Sequence, residues 1–206
     1  MNKQYESIVF DLGNVLVDWS PSYLYDKIFT DKKQKEYFLA NVCTTEWHTQ
    51  QDAGRSVKEA TEELIKRHPD WAHPIKVFYA RWKEMFQGPI EGSVAILKEL
   101  KETNRFKLYA LTNWSAELFE ESYTDFPFLH WFDGIVVSGA EKKTKPGEDL
   151  YKILLSRYSV DPATALFIDD REENVAMAAK LGIDGIIFTS PQQLRNELNI
   201  RKVLTP

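Results

Sequence analysis

Four places in the chain set polar, chemically capable residues directly after an apolar run. Asp11 closes "IVF" and opens "DLGN", Thr112 and Asn113 follow "LYAL", Lys145 stands in "KTKPG", and Asp169 with Asp170 follows "ALFI". Carboxylates brought close together repel unless a hard cation lies between them, and oxygen ligands of this kind suit Mg²⁺. One carboxylate can then attack phosphorus. The cation and Lys145 would offset its repulsion with a phosphate dianion, while Thr112 and backbone N–H groups hold the equatorial oxygens.

Chemistry of this kind requires each residue to sit at the carboxyl end of a strand, where open parallel sheets bind ligands. Short apolar runs predict strands at Ser7–Phe10, Lys107–Leu111, Gly134–Val137, Ala165–Ile168 and Gly185–Phe188. Between them, three- and four-residue apolar spacing predicts helices carrying Val94, Leu97 and Leu100, then Leu150, Ile153 and Leu154, then Val175, Ala178 and Ala179. The alternation reads as an α/β fold with a Rossmann-like, doubly wound parallel sheet covered on both faces. Residues 20–87 differ, with no convincing β run and helical stretches such as "SVKEATEELIKRH" and "VFYARWKEMF". The expected organisation is a core of residues 1–19 and 88–206 carrying an inserted helical subdomain of residues 20–87.

In chain order, "VFDLGNV", "ALTN", "KTKP" and "FIDDREEN" resemble the four motifs of the haloacid dehalogenase superfamily of hydrolases. The helical insertion stands where that superfamily's type 1 cap belongs. "FDLGNVLVDW", "ALTNWS", "DGIVVSG" and "FIDDREENV" are further similar to a bacterial phosphatase branch with a D-L-G-N opening, which includes sugar-1-phosphate phosphatases. The resemblance implies Mg²⁺-dependent hydrolysis of a small phosphorylated metabolite, a sugar phosphate among the candidates, through an aspartyl-phosphate on Asp11. It implies metal ligation by Asp11, the backbone carbonyl of Gly13, and Asp170, with Asp169 supporting the metal or the lysine. Thr112, Asn113 and Lys145 match phosphate-holding positions, and Asn174 takes the place of a further acidic residue about one helical turn after Asp170. Trp114, next to the phosphate-holding pair, would either wall the pocket on the substrate side or pack beneath the cap. Trp47, Gln51 and Arg55 lie on the cap segment that faces the active site in this superfamily, and their spacing permits a shared face toward substrate.

One departure stands out. Most phosphatases of this superfamily carry a second Asp two residues after the nucleophile, which protonates the leaving oxygen; here that position is Gly13. General acid–base help is worth ~10²–10⁴ in rate. Three explanations compete, of which we prefer the first: a leaving group that departs without strong protonation. The second is an acid from the cap, with His48 and Glu46 as candidates, or Asp18 should the chain double back. The third is loss of phosphate chemistry, leaving a 2-haloacid dehalogenase or a non-catalytic metabolite-binding protein. A dehalogenase needs neither acid nor metal, which leaves Asp169 and Asp170 side by side without a reason.

Composition narrows the partners. A formal net charge of −5 argues against sequence-independent binding to phosphate backbones, so no nucleic acid is expected. No apolar run approaches the ~20 residues of a membrane span, and the opening "MNKQYESIVF" lacks the apolar segment of a signal peptide. A soluble, cytoplasmic protein is expected. At 43% hydrophobic residues in 206, the chain can bury one main core. Cys43 is the single cysteine and reads as a packing residue. Oligomeric state does not follow from any of these features.

Overall fold

The computed structural model describes residues 4–204. The apolar runs form strands, which in chain order are β1 (Ser7–Phe10), β2 (Val17–Trp19), β3 (Phe86–Pro89), β4 (Lys107–Thr112), β5 (Gly134–Val137), β6 (Ala165–Asp169) and β7 (Asp184–Ile187). Five of them make one sheet in the order β5-β4-β1-β6-β7, with every neighbouring pair parallel. β1 is therefore central. Chain order runs outward from β1 through β4 to β5, then crosses to β6 and β7, which puts the reversal point between β1 and β6. Asp11 and Asp169 both emerge there.

Alternation along the strands sends side chains to opposite faces, and each face has its own apolar cluster. Ile8, Phe10, Leu108, Ala110, Leu166 and Ile168 pack on one side with Leu97 and Leu194. Val9, Tyr109, Leu111 and Phe167 pack on the other with Leu150, Leu154 and Ala178. These partners lie on helices that follow the strands, so the doubly wound α/β architecture read from the sequence is the observed one. Both β4 and β6 run one residue further than predicted, which makes Thr112 and Asp169 the last residues of their strands.

Five helices occupy the stretch between β2 and β3: α1 (Pro21–Tyr25), α2 (Lys32–Asn41), α3 (Thr45–Asp52), α4 (Val57–Arg67) and α5 (Ala72–Ala80). The Thr44 hydroxyl caps α3 by accepting from the Trp47 N–H at 3.2 Å, and Ser56 caps α4 by accepting from Glu59. Tyr25, Phe38, Trp47, Leu64 and Phe78 are buried among these helices. The remaining helices are α6 (Glu91–Thr103), α7 (Ala116–Ser122), α8 (Ser138–Glu141), α9 (Glu148–Arg157), α10 (Glu172–Lys180) and α11 (Pro191–Ile200).

The β2–β3 pair is an addition to the sequence reading. It forms a separate two-stranded antiparallel ribbon, Val17 opposite Pro89 and Trp19 opposite Phe86, where the chain leaves for the helices and returns. Among the described residues no helix is long and apolar enough to cross a membrane.

Candidate active site

The abrupt carboxylate after β1 has an answer in its surroundings. Asp11 continues the register of its strand by donating its N–H to the Ile168 carbonyl at 2.8 Å. The turn itself is made by the following residues, since the Leu12 carbonyl accepts from both Leu16 and Val17, each at 2.9 Å. Asn14 takes the left-handed conformation there, at φ 56°, which Asn tolerates better than most residues. Asp11 is thus spared turn duty. Its Oδ1 accepts from the Leu12 N–H at 2.7 Å and pairs with Lys145 Nζ at 2.9 Å, and its Oδ2 has no partner among the described residues.

Lys145 is 4% exposed and its ammonium is held inside the protein. It donates to Asp169 Oδ2 at 2.7 Å and to the Leu111 carbonyl at 2.8 Å, and its nitrogen lies 2.9 Å from Asp11 Oδ1 as an ion pair. In this arrangement Lys145 bridges the two carboxylates and offsets their charge, and it also lines the cavity. Asn113 holds the same loop. Its side chain accepts from the Lys145 N–H at 2.8 Å and donates to the Lys145 carbonyl at 3.0 Å, fixing the lysine loop to the end of β4. Thr112 is the last residue of β4, is 1% exposed and is not among the residues that line the cavity above the site.

Asp169 is fully buried and fully engaged, receiving Lys145, the Arg171 N–H at 2.9 Å, and the Asn174 amide at 2.9 and 3.1 Å. Asn174 therefore orients Asp169. Asp11, Asp169 and Asp170 each offer an oxygen within 4.8 Å of the others. Three carboxylates against the one ammonium of Lys145 leave an excess of two negative charges in a buried place. Burial, with Asp169 and Asp170 adding to it against the pull of Lys145, pushes Asp11 up to about 7. Burial first and Asp169 second also raise Asp170. An all-oxygen cluster short of two positive charges fits a divalent hard cation.

Above the cluster lies a cavity of about 230 Å³, lined by Asp11, Gly13, Asn113, Lys145 and Asp170 at its floor and by residues of the helical insertion. Much of its wall is aromatic. Trp19 stacks on His48 with centroids 5.3 Å apart and meets Trp82 at 5.4 Å, while Phe86 joins Trp82 to Trp114 at 5.6 Å each. Trp114 and Cys43 are both among the lining residues. A Cβ built on Gly13 meets nothing within 4 Å, so the position is empty of side chain and has room for one.

Residues 8–188 match the haloacid dehalogenase-like hydrolases. The chain belongs to that family. Two curated relatives of this haloacid dehalogenase-like hydrolase are phosphatases. The sesquiterpene phosphatase astK of Aspergillus oryzae is 24% identical over 186 residues, 90% of each chain. A phosphorylated carbohydrates phosphatase of Thermotoga maritima is 23% identical over 192 residues, covering 88% of this chain and 83% of its own. Among solved structures, a haloacid dehalogenase family enzyme from Bacteroides thetaiotaomicron, crystallised with magnesium and inorganic phosphate, superposes with a TM-score of 0.69. It is 20% identical and the match covers 90% of this chain and 95% of that one, a likeness that shows the shared fold.

In this haloacid dehalogenase-like hydrolase the side of α3 that lines the cavity is not the one carrying Trp47 and Gln51. Trp47 packs edge-on against Phe78 with centroids 5.2 Å apart, and Gln51 donates to the Trp47 carbonyl and the Tyr79 hydroxyl. Arg55 turns to Gln50 and Glu63. None of the three lines the cavity: Trp47 and Gln51 lie on the face that α3 buries toward α4 and α5, and Arg55 lies beyond the end of α3. The neighbouring face, carrying Thr45, His48, Thr49 and Asp52, lines it instead. Of the other acid candidates, Glu46 is exposed and outside the lining, and Asp18 accepts from Tyr23 at 2.8 Å, also outside it.

His48 reaches the cavity, but burial pushes it down to about 4, which keeps it neutral at pH 7. With its folded value below its unfolded one, its contribution to stability is present above ~6.5 and is lost as pH falls toward 4, by roughly 3 kcal/mol over the window. Melting curves of wild type and His48→Gln should therefore converge as pH is lowered from 8 to 5. A gap that stays constant across that range would show that His48 does not titrate as its burial demands.

Proposed function

We propose that this hydrolase is a Mg²⁺-dependent phosphatase that cleaves a small phosphorylated metabolite through an aspartyl-phosphate on Asp11. The observation that carries the reading is the buried cluster of three carboxylates with one ammonium, whose missing two charges a divalent cation supplies. Asp11, Asp170 and the Gly13 carbonyl would hold Mg²⁺. Bound there, it screens the approach of a phosphate dianion to a carboxylate and stabilises charge on the transferring oxygens.

The chain's own residues do the rest. Lys145 fixes Asp11 Oδ1, which leaves Oδ2 to form a bond to phosphorus as the bond to the leaving oxygen breaks. Asp169, held by Asn174 and the Arg171 N–H, keeps Lys145 charged and in place. Thr112, at the end of β4 beside Asn113, would have to be reached by a phosphate oxygen at the cavity floor, and Asn113 keeps the lysine loop against β4. The helices of residues 20–87 act as a cap over a core of residues 1–19 and 88–206, excluding water from the cavity and shaping it. Phosphatase relatives support this reading, one named for a sesquiterpene substrate and one for phosphorylated carbohydrates. Aromatic walls accept the face of a sugar ring as well as an apolar body. Cavity size favours a small substrate, in keeping with a metabolite of the cytoplasm.

Phosphate release from a metabolite panel, with and without Mg²⁺, tests the reading. Excess chelator should remove activity and added Mg²⁺ should restore it. Full activity in chelator would overturn the metal-dependent reading and turn attention to halide release from 2-haloacids, where no metal is needed.

A further inference from the structure

Asp52, the last residue of α3, lines the cavity that Asp11 lines, yet it belongs to no motif. It is 6% exposed, and the nearest ionisable side chain is His48, whose Nε2 lies 3.9 Å from its carboxyl. The backbone around it is clamped to the core. The Asp52 carbonyl accepts from Ser138 Oγ at 2.6 Å, and that oxygen in turn accepts from the Trp114 N–H at 2.9 Å, directly after the Thr112–Asn113 pair. A carboxyl on the helical insertion is thereby positioned relative to the strand ends, which is the requirement for a proton donor acting on a bound substrate.

We propose that Asp52 supplies the acid that Gly13 does not: its carboxyl protonates the leaving-group oxygen, and its carboxylate then takes a proton from the water that attacks phosphorus. The proposal rests on the phosphatase reading above. In the first step the Asp11 Oδ2–P bond forms, the P–O bond to the leaving group breaks, and the Asp52 proton moves to the departing oxygen. In the second, water's oxygen bonds to phosphorus, the Asp11–phosphorus bond breaks, and water's proton returns to Asp52. The sum is ester plus water giving alcohol plus phosphate, with Asp11 and Asp52 restored.

Two physical facts make Asp52 an acid near neutrality. It stands at the C-terminus of α3, where the helix dipole disfavours a negative charge. Burial raises it to about 7, with the Ser115 N–H pulling the other way. The ionisable groups that face it are His48 on its own helix, Tyr79 from α5, and, across the cavity, Asp11, Lys145, Asp170 and Arg171. His48 is neutral at that pH.

The test compares wild type with Asp52→Asn on phosphate esters running from 4-nitrophenyl to primary-alcohol leaving groups, with Mg²⁺ present. Wild type should show a shallow dependence of kcat/KM on leaving-group pKa, because proton transfer offsets the charge that develops on oxygen. Asp52→Asn should show a steep one, losing ~10²–10⁴ on the alcohol ester. On 4-nitrophenyl phosphate the variant should release one equivalent of nitrophenol in a burst before a slower steady state, since phosphoryl-Asp11 then waits for a base. In wild type, kcat/KM on the alcohol ester should fall as pH rises past about 7, a limb that Asp52→Asn lacks. Adding Gly13→Asp to Asp52→Asn should make the slope shallow again, as the open space at Gly13 permits.

Equal slopes in wild type and Asp52→Asn overturn the proposal, as does a slope that steepens on His48→Gln instead. A steep slope in wild type overturns it without any variant, and would return the explanation to an easily departing leaving group. Absence of Asp11-dependent phosphate release from every ester would defeat the phosphatase reading itself, and this inference with it.

Discussion

Asp11→Asn should abolish turnover, by roughly 10⁴-fold or more, the scale on which removing a nucleophile acts. An amide nearly matches a carboxylate in shape but does not form the phosphoryl ester. The fold should survive intact. Asn keeps an oxygen for the Leu12 N–H and for Lys145, and Lys145 retains its contact with Asp169. Removing one of three crowded carboxylates also relieves repulsion, so the melting temperature in chelator should hold or rise. Phosphate release and thermal denaturation on one preparation, its mass verified, read both effects. Turnover within tenfold of wild type would end the aspartyl-phosphate mechanism.

The second large effect is on stability, from Lys145→Met. Methionine fills most of the same volume but strips the single ammonium from between Asp11 and Asp169 and orphans the Leu111 carbonyl. Breaking a buried pair by removing one partner costs about 3–5 kcal/mol, because the other charge stays buried without compensation. At ~2–4 °C per kcal/mol for a chain of this size, the melting temperature in chelator should drop by about 6–20 °C. Mg²⁺ should recover part of that loss, since the cation offsets the same charges. A drop of under 2 °C in chelator would show that Lys145 is not what offsets the carboxylates.

The strand-end residues were legible in the sequence because each strand announces itself as an apolar run and its chemistry begins where the run stops. Asp11, Thr112, Asp169 and Asp170 were placed that way, and the sheet brings their strands side by side. The roles of Lys145 and Asn113 were harder to read. Sequence shows that a lysine is present but not that it lies buried between two carboxylates with a backbone carbonyl as a further acceptor.

The face of α3 was missed for a reason of geometry. Each residue turns an α-helix by about 100°, so the stripe Trp47, Gln51 and the stripe His48, Asp52 differ by a single step, and Arg55 falls past the helix end, where helical spacing no longer applies. Spacing alone does not say which stripe looks at the sheet. Trp47 carried the usable signal: a tryptophan heads for a core, and the polar stripe beside it is the one left to line a cavity. The β2–β3 ribbon escaped because three or four residues ending in Gly-Pro show no period and read as a turn, with Gly88 at φ 114°.

That ribbon has a consequence for how such a protein diversifies. Trp19 and Phe86 are neighbours across it, so everything between them departs and returns through one doorway, as a loop tied off at its neck. Lengthening or replacing the tied-off segment alters no strand of the five-stranded sheet and adds little closure entropy, which grows only with the logarithm of loop length. The sheet holds the carboxylates and the tied-off segment holds much of the aromatic wall with Asp52. Changes confined to the tied-off segment therefore reshape the cavity wall while leaving the strands that carry the carboxylate cluster as they are.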